Sequence, residues 1–138
     1  MPPVDPPALT AAEATFEITL LARRFASAFA AFAHPGSDAP VGLVAALATA
    51  SRVLGEHAQT LVALVPESVL LADARAAGAA VPIEGAAEPL GELAALGRAL
   101  DALVRRARPV ADGALLRLAT HVGADLAALQ RSITEALG

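Results

Sequence analysis

Apolar residues recur at helical spacing along most of the chain. They fall at Ile18, Leu21, Phe25, Phe29 and Phe32, then at Leu43, Leu47, Leu54, Ala58, Leu61 and Val65. A third set is Leu93, Leu96, Leu100, Leu103, Val104 and Ala107, and a fourth is Leu115, Leu118, Val122, Leu126, Leu129 and Ile133. Steps of three, four and seven place each set on one stripe of an α-helix. No segment alternates apolar and polar residues over six positions, so no strand is expected.

Punctuation residues delimit the same four segments. Thr10 and Glu13 match the S/T-x-x-E capping box, which starts a helix near Ala11. His34-Pro35-Gly36-Ser37-Asp38 stops it after about Ala33. Pro40 suits the first turn of a second helix running to about Val65. Pro66 then breaks or kinks that helix, because its ring cannot accommodate the preceding helical hydrogen bond. Residues 67–77 read as a short continuation ending at Gly78, and residues 79–87 as a loop. Pro89 opens a third helix to about Arg108, and a fourth follows from about Ala111 to Leu137. Residues 1–10, proline-rich at positions 2, 3, 6 and 7, read as a flexible arm. Residues 11–138 then form one domain, an all-α antiparallel four-helix bundle with a kinked or split second helix.

Composition narrows the functional classes. Of 138 residues, 37 are Ala and 21 are Leu, both strong helix formers. The chain has no cysteine, which excludes a disulfide framework, thiolate chemistry and Cys-type zinc sites. All ten basic residues are Arg, the formal charge is −4 and Phe is the sole aromatic type. A mildly acidic surface with few aromatics is a poor match to nucleic acid, and no nucleic-acid partner is expected. The longest charge-free stretch, Ala39–Ser51, has thirteen residues, whereas a membrane-spanning helix needs about twenty. No membrane partner is therefore expected. The opening Met1-Pro2-Pro3-Val4-Asp5 lacks the features of a secretory leader, which makes the cytoplasm the expected location.

Candidate chemistry is sparse. Helices two and four each carry one histidine, His57 and His121. Di-metal bundles place a Glu three residues before such a His, yet Leu54 and Leu118 stand there. Glu56 adjoins His57 but lies about 100° away around the helix. The four-helix plan with a single His midway along helices two and four resembles a ferritin-like fold that lacks its di-metal ligands. The resemblance covers residues 11–137 and implies the fold. It does not carry iron chemistry, because the ligand motifs are missing, and neither a metal nor a cofactor is expected.

The remaining polar residues have ordinary structural explanations beside functional ones. His57 lies about 80° off its apolar stripe, at the core edge. It reads either as a half-buried His bonded to a carbonyl or carboxylate, or as the polar anchor of an apolar pocket lined by Leu54, Leu61 and Leu118. His121 has Asp125 one turn on, an i,i+4 pair. His34 follows helix one, where the helix dipole favours it, and Arg105, Arg106 and Arg108 complement the dipole of helix three. With Arg98 and Arg117 they could instead attract an anion. The scattered serines have no G-x-S-x-G context, and no catalytic residue is expected.

Apolar surface exceeds what four stripes need. Phe16 and Leu20, one turn apart, face away from the Phe25 stripe, and Leu70 and Leu71 add to the surplus. Exposed apolar patches mark association sites. The sequence therefore points to a non-enzymatic bundle acting through helix-face contacts, as a homo-oligomer, in the first place a dimer, or as a partner-binding subunit. The alternative occupant of Phe16 and Leu20 is the 67–77 segment folded back. The other functional alternatives are the His57-anchored ligand pocket and a degenerate ferritin-like metal protein.

Overall fold

The computed structural model describes residues 6–65 and 88–138. Among these every regular element is an α-helix: α1 (Ala11–Phe32), α2 (Val41–Val62), α3 (Pro89–Arg106) and α4 (Gly113–Leu137). The capping box is formed. Thr10 Oγ1 accepts from Glu13 N at 3.1 Å, and Thr10 N donates to Glu13 Oε1 at 3.2 Å. Two donors that a helix start otherwise leaves unpaired are thereby satisfied.

Helices two and three stop short of the expected ends, and proline is the reason in both cases. A residue preceding proline is pushed out of the helical region. Ahead of Pro66, α2 closes at Val62, and the chain tightens into i,i−3 bonds from Leu64 N to Leu61 O and from Val65 N to Val62 O. Ahead of Pro109, α3 closes at Arg106 and Ala107 is extended (φ −68°, ψ 141°). The expected kink or continuation at Pro66, with Leu70 and Leu71, lies outside the described residues.

Cross-helix bonds fix the helix directions. Glu13 pairs with Arg106 and Arg24 with Glu92, so α1 and α3 run antiparallel. Ser51 Oγ donates to Phe29 O at 2.7 Å while His57 meets the ring of Phe25, so α1 and α2 are antiparallel too. α3 turns into α4 through a short link in which Asp112 N donates to Arg108 O. That link is too short to run the bundle's length, so α4 returns antiparallel to α3. The neighbouring pairs are α1·α2, α2·α4, α4·α3 and α3·α1. Every spatial neighbour is antiparallel, while α2 and α3, consecutive in sequence, point the same way.

The core is built from the expected stripes. Phe25, Phe32, Leu54, Leu61, Leu93, Leu96, Val122 and Ile133 have essentially no solvent exposure. Each such side chain contributes about 1.5–3 kcal/mol of burial free energy. Two positions differ from expectation. Phe29 is 44% exposed, because it sits at the edge of α1 towards α2, lying over Gly55. Leu9, counted with the flexible arm, is buried in the core; its N–H donates to Arg106 O at 2.9 Å, and Arg106 Nε donates to Pro7 O at 3.1 Å. The packed domain thus begins before α1, and residues 1–5 lie outside the described residues.

Candidate functional site

Two regions combine chemistry with position: a polar junction between α2 and α4, and the outer face of α1. At the junction His57 is only 5% exposed. Its Nε2 lies 2.7 Å from Asp125 Oδ2. The bond joins the buried imidazole of α2 to a carboxylate side chain of α4. His121, one turn before Asp125 on α4, is 70% exposed and places its own Nε2 at 3.6 Å from the same oxygen. The two imidazoles meet edge to face with centroids 5.6 Å apart, and the Phe25 ring meets His57 edge-on at 6.2 Å.

The α2·α4 pairing buries His57 more deeply than its angle on α2 alone suggests. His57 is the carboxylate-bonded core-edge histidine of the sequence reading. Leu54 and Leu61, placed with it as pocket walls, are fully buried in the core, and Leu118 is partly buried against it. The point on which the two Nε2 atoms converge is occupied by the Asp125 oxygen itself. Among the described residues, no group of three or more His, Asp or Glu side chains is placed to hold a metal ion. Leu54 and Leu118 occupy the positions at which a Glu-x-x-His motif would supply carboxylates.

The basic residues closing α3 are largely committed. Arg106 Nη2 donates to Glu13 Oε2 at 2.6 Å. The Arg106 hydrogen bond, then those from Thr10, hold the Glu13 carboxyl below the usual carboxylate range. Arg108 donates to Asp112 from its backbone N–H at 2.7 Å and from its guanidinium at 3.1 and 3.2 Å. The guanidinium bond lowers the Asp112 carboxyl against the opposing effect of burial, and the same bond raises Arg108. Asp112, a position the sequence reading did not single out, is buried here. With Arg106 and Arg108 paired to carboxylates, the alternative anion site at this end has two of its arginines already engaged.

The outer face of α1 is as the angular reading placed it. Phe16 is 61% and Leu20 40% exposed. Beside Leu20 an open groove of about 270 Å³ runs between α1 and α3. Leu21, Leu103, Ala99 and Ala102 line it, with Glu17 and Arg24 at its rim. A second open groove, of about 330 Å³, lies between α1 and α2, lined by Phe29, Gly55, Arg52 and Glu56. Neither groove is lined by His57.

No family model, curated protein or solved structure matches this chain. Among the described residues, no helix is long and apolar enough to cross a membrane.

Proposed function

We propose that this protein is a non-enzymatic helical bundle that works through contacts made by the outer face of α1, as a homo-oligomer or as a partner-binding subunit. The observation that carries this reading is the pair Phe16 and Leu20. Two large apolar side chains, one turn apart, stand exposed, and Leu20 borders an open groove whose apolar lining is edged by Glu17, Arg24 and Arg106. Contiguous exposed apolar surface of this kind marks association sites. The polar residues point the same way: His57, Asp125, Arg106 and Arg108 spend their hydrogen bonds on one another and on the fold. The helix order, with α1 antiparallel to both α2 and α3 and those two pointing the same way, supports the ferritin-like plan for the fold. That plan carries no metal chemistry here, since Leu54 and Leu118 replace its carboxylates.

The test is the size of the assembly in extracts of the cells that make the protein, for the wild type and for Phe16→Ser/Leu20→Ser. A species larger than the monomer that the double variant loses, with its helicity unchanged, supports the proposal. A monomer in both, or an assembly indifferent to the substitutions, overturns it.

A further inference from the structure

We infer that the partner of this face is a second copy of the chain, docked about a two-fold axis beside Leu20 so that the two α1 helices cross antiparallel. The inference rests on the reading of the α1 face as an interface. Phe16, Leu20 and Arg24 form one i,i+4 ridge, with the aromatic and the guanidinium spaced equally on either side of Leu20. In a two-fold contact the residue four before the centre meets the residue four after it on the other copy. Leu20 then packs on Leu20, and each Phe16 ring lies under the Arg24 of the other copy. A guanidinium over an aromatic face is attracted by the ring's negative quadrupole.

The ridge is thus complementary to itself. Arg24 lines the α1/α3 groove and its Nε donates to Glu92 Oε1 at 3.3 Å, which leaves further N–H groups of its fork for a second contact. Charge selects the same register. Glu17 lies in the N-terminal half of the groove's rim and Arg24 in the C-terminal half. Antiparallel crossing brings Glu17, three residues before the centre, towards the arginine-bearing C-terminal half of the other α1, whereas parallel crossing sets like charge against like. Antiparallel crossing also opposes the two helix dipoles favourably. Ala99 and Ala102, on the α3 side of the groove, leave room for the second copy to approach.

The chain contains no cysteine, so Leu20→Cys installs a single reporter on the proposed axis. A disulfide forms only where the two Cα atoms come within about 7 Å. Mild oxidation of purified Leu20→Cys is expected to give a covalent dimer much faster than oxidation of Ala127→Cys, an exposed control on α4. Sedimentation velocity from micromolar to millimolar concentration is expected to show a wild-type dimer, which Phe16→Ala and Arg24→Ala each weaken roughly tenfold. A wild type that stays monomeric throughout, or equal cross-linking at the two cysteines, overturns the inference. If the purified chain is monomeric while the cellular assembly still depends on Phe16 and Leu20, self-pairing falls and the interface reading stands. If that assembly is also indifferent to both residues, the two fall together.

Discussion

His57 Nε2 and Asp125 Oδ2 lie 2.7 Å apart and join α2 to α4 at the edge of the core. The imidazole is buried while the carboxylate side chain keeps about a third of its surface. The two partners therefore differ in what their loss leaves behind. Removing Asp125 leaves the buried His57 Nε2 without this partner, which costs about 1–3 kcal/mol. Asp125→Ala is expected to destabilise by that amount in urea denaturation at neutral pH. Truncating the exposed His121 is expected to change stability by less than about 0.5 kcal/mol. Replacing both members of the buried pair, in His57→Leu/Asp125→Ala, is expected to recover part of the loss, because no polar group is then left unpaired. An Asp125→Ala protein as stable as wild type would show that the bond contributes nothing.

Leu9 extends the core beyond the first helix. Its side chain is buried and its N–H is held by the last carbonyl of α3. Leu9→Ala is expected to cost about 2–4 kcal/mol, the range for a buried leucine that leaves a cavity. Ala12→Gly, at an exposed position of α1, should cost only about 1 kcal/mol, the propensity difference. Thermal melts of the two variants decide the matter; equal losses would mean that Leu9 contributes no more than an arm residue.

The helices were legible in the sequence because their signals are local. Thr10 with Glu13, the prolines at 40, 66, 89 and 109, and the spacing of Leu93 to Leu103 act within a turn or two of chain. Phe16 and Leu20 were legible for the same reason, as angles around one helix. What could not be read locally depends on tertiary neighbours. Leu9 follows a proline-rich run with no periodicity, and only the approach of Arg106 buries it. His121 and Asp125 were visible as an i,i+4 pair, but His57 meets that aspartate from 68 residues away. Phe29 shares the stripe of Phe25 and Phe32 in angle, yet the position of α2 leaves it at the rim. The same-way course of α2 and α3 follows from pairings of Glu13 with Arg106 and Arg24 with Glu92, which no single-helix pattern contains.

Acid should weaken the fold partly through Asp112. Its folded-state carboxyl is held below the ordinary value, first by the Arg108 guanidinium and also by the Arg108 backbone N–H, against the effect of burial. The unfolded chain, titrating near a pKa of about 3.9, then binds the proton more tightly than the folded one. The stabilisation is therefore complete above that value and disappears as pH falls through the lower folded one. Asp112→Asn is expected to be less stable than wild type at neutral pH, with the gap closing as pH falls below the ordinary aspartate range. Urea midpoints at neutral and acid pH measure both. A gap that stays constant with pH would mean that the Asp112 charge is not what stabilises the turn.

Gly55 and Phe29 set two opposing effects against each other. A Cβ on Gly55 would stand 2.8 Å from Phe29 Cδ2 and 3.3 Å from two further ring atoms. Alanine in mid-helix is otherwise worth about 1 kcal/mol over glycine. Gly123 in α4 shows what that gain looks like alone, since nothing lies within 4 Å of its missing Cβ. Gly123→Ala should therefore stabilise by about 1 kcal/mol. At Gly55 the ring must swing off α2 to admit the methyl group, and the packing it loses offsets the propensity gain. Gly55→Ala is expected to be neutral or destabilising in the wild-type background, and stabilising by about 1 kcal/mol in Phe29→Ala, where the obstacle is gone. The change of sign between backgrounds, read from denaturation midpoints, is the measurement. If Gly55→Ala stabilises both backgrounds equally, the ring is too loosely held for the contact to matter, and the glycine is then incidental to the seating of Phe29.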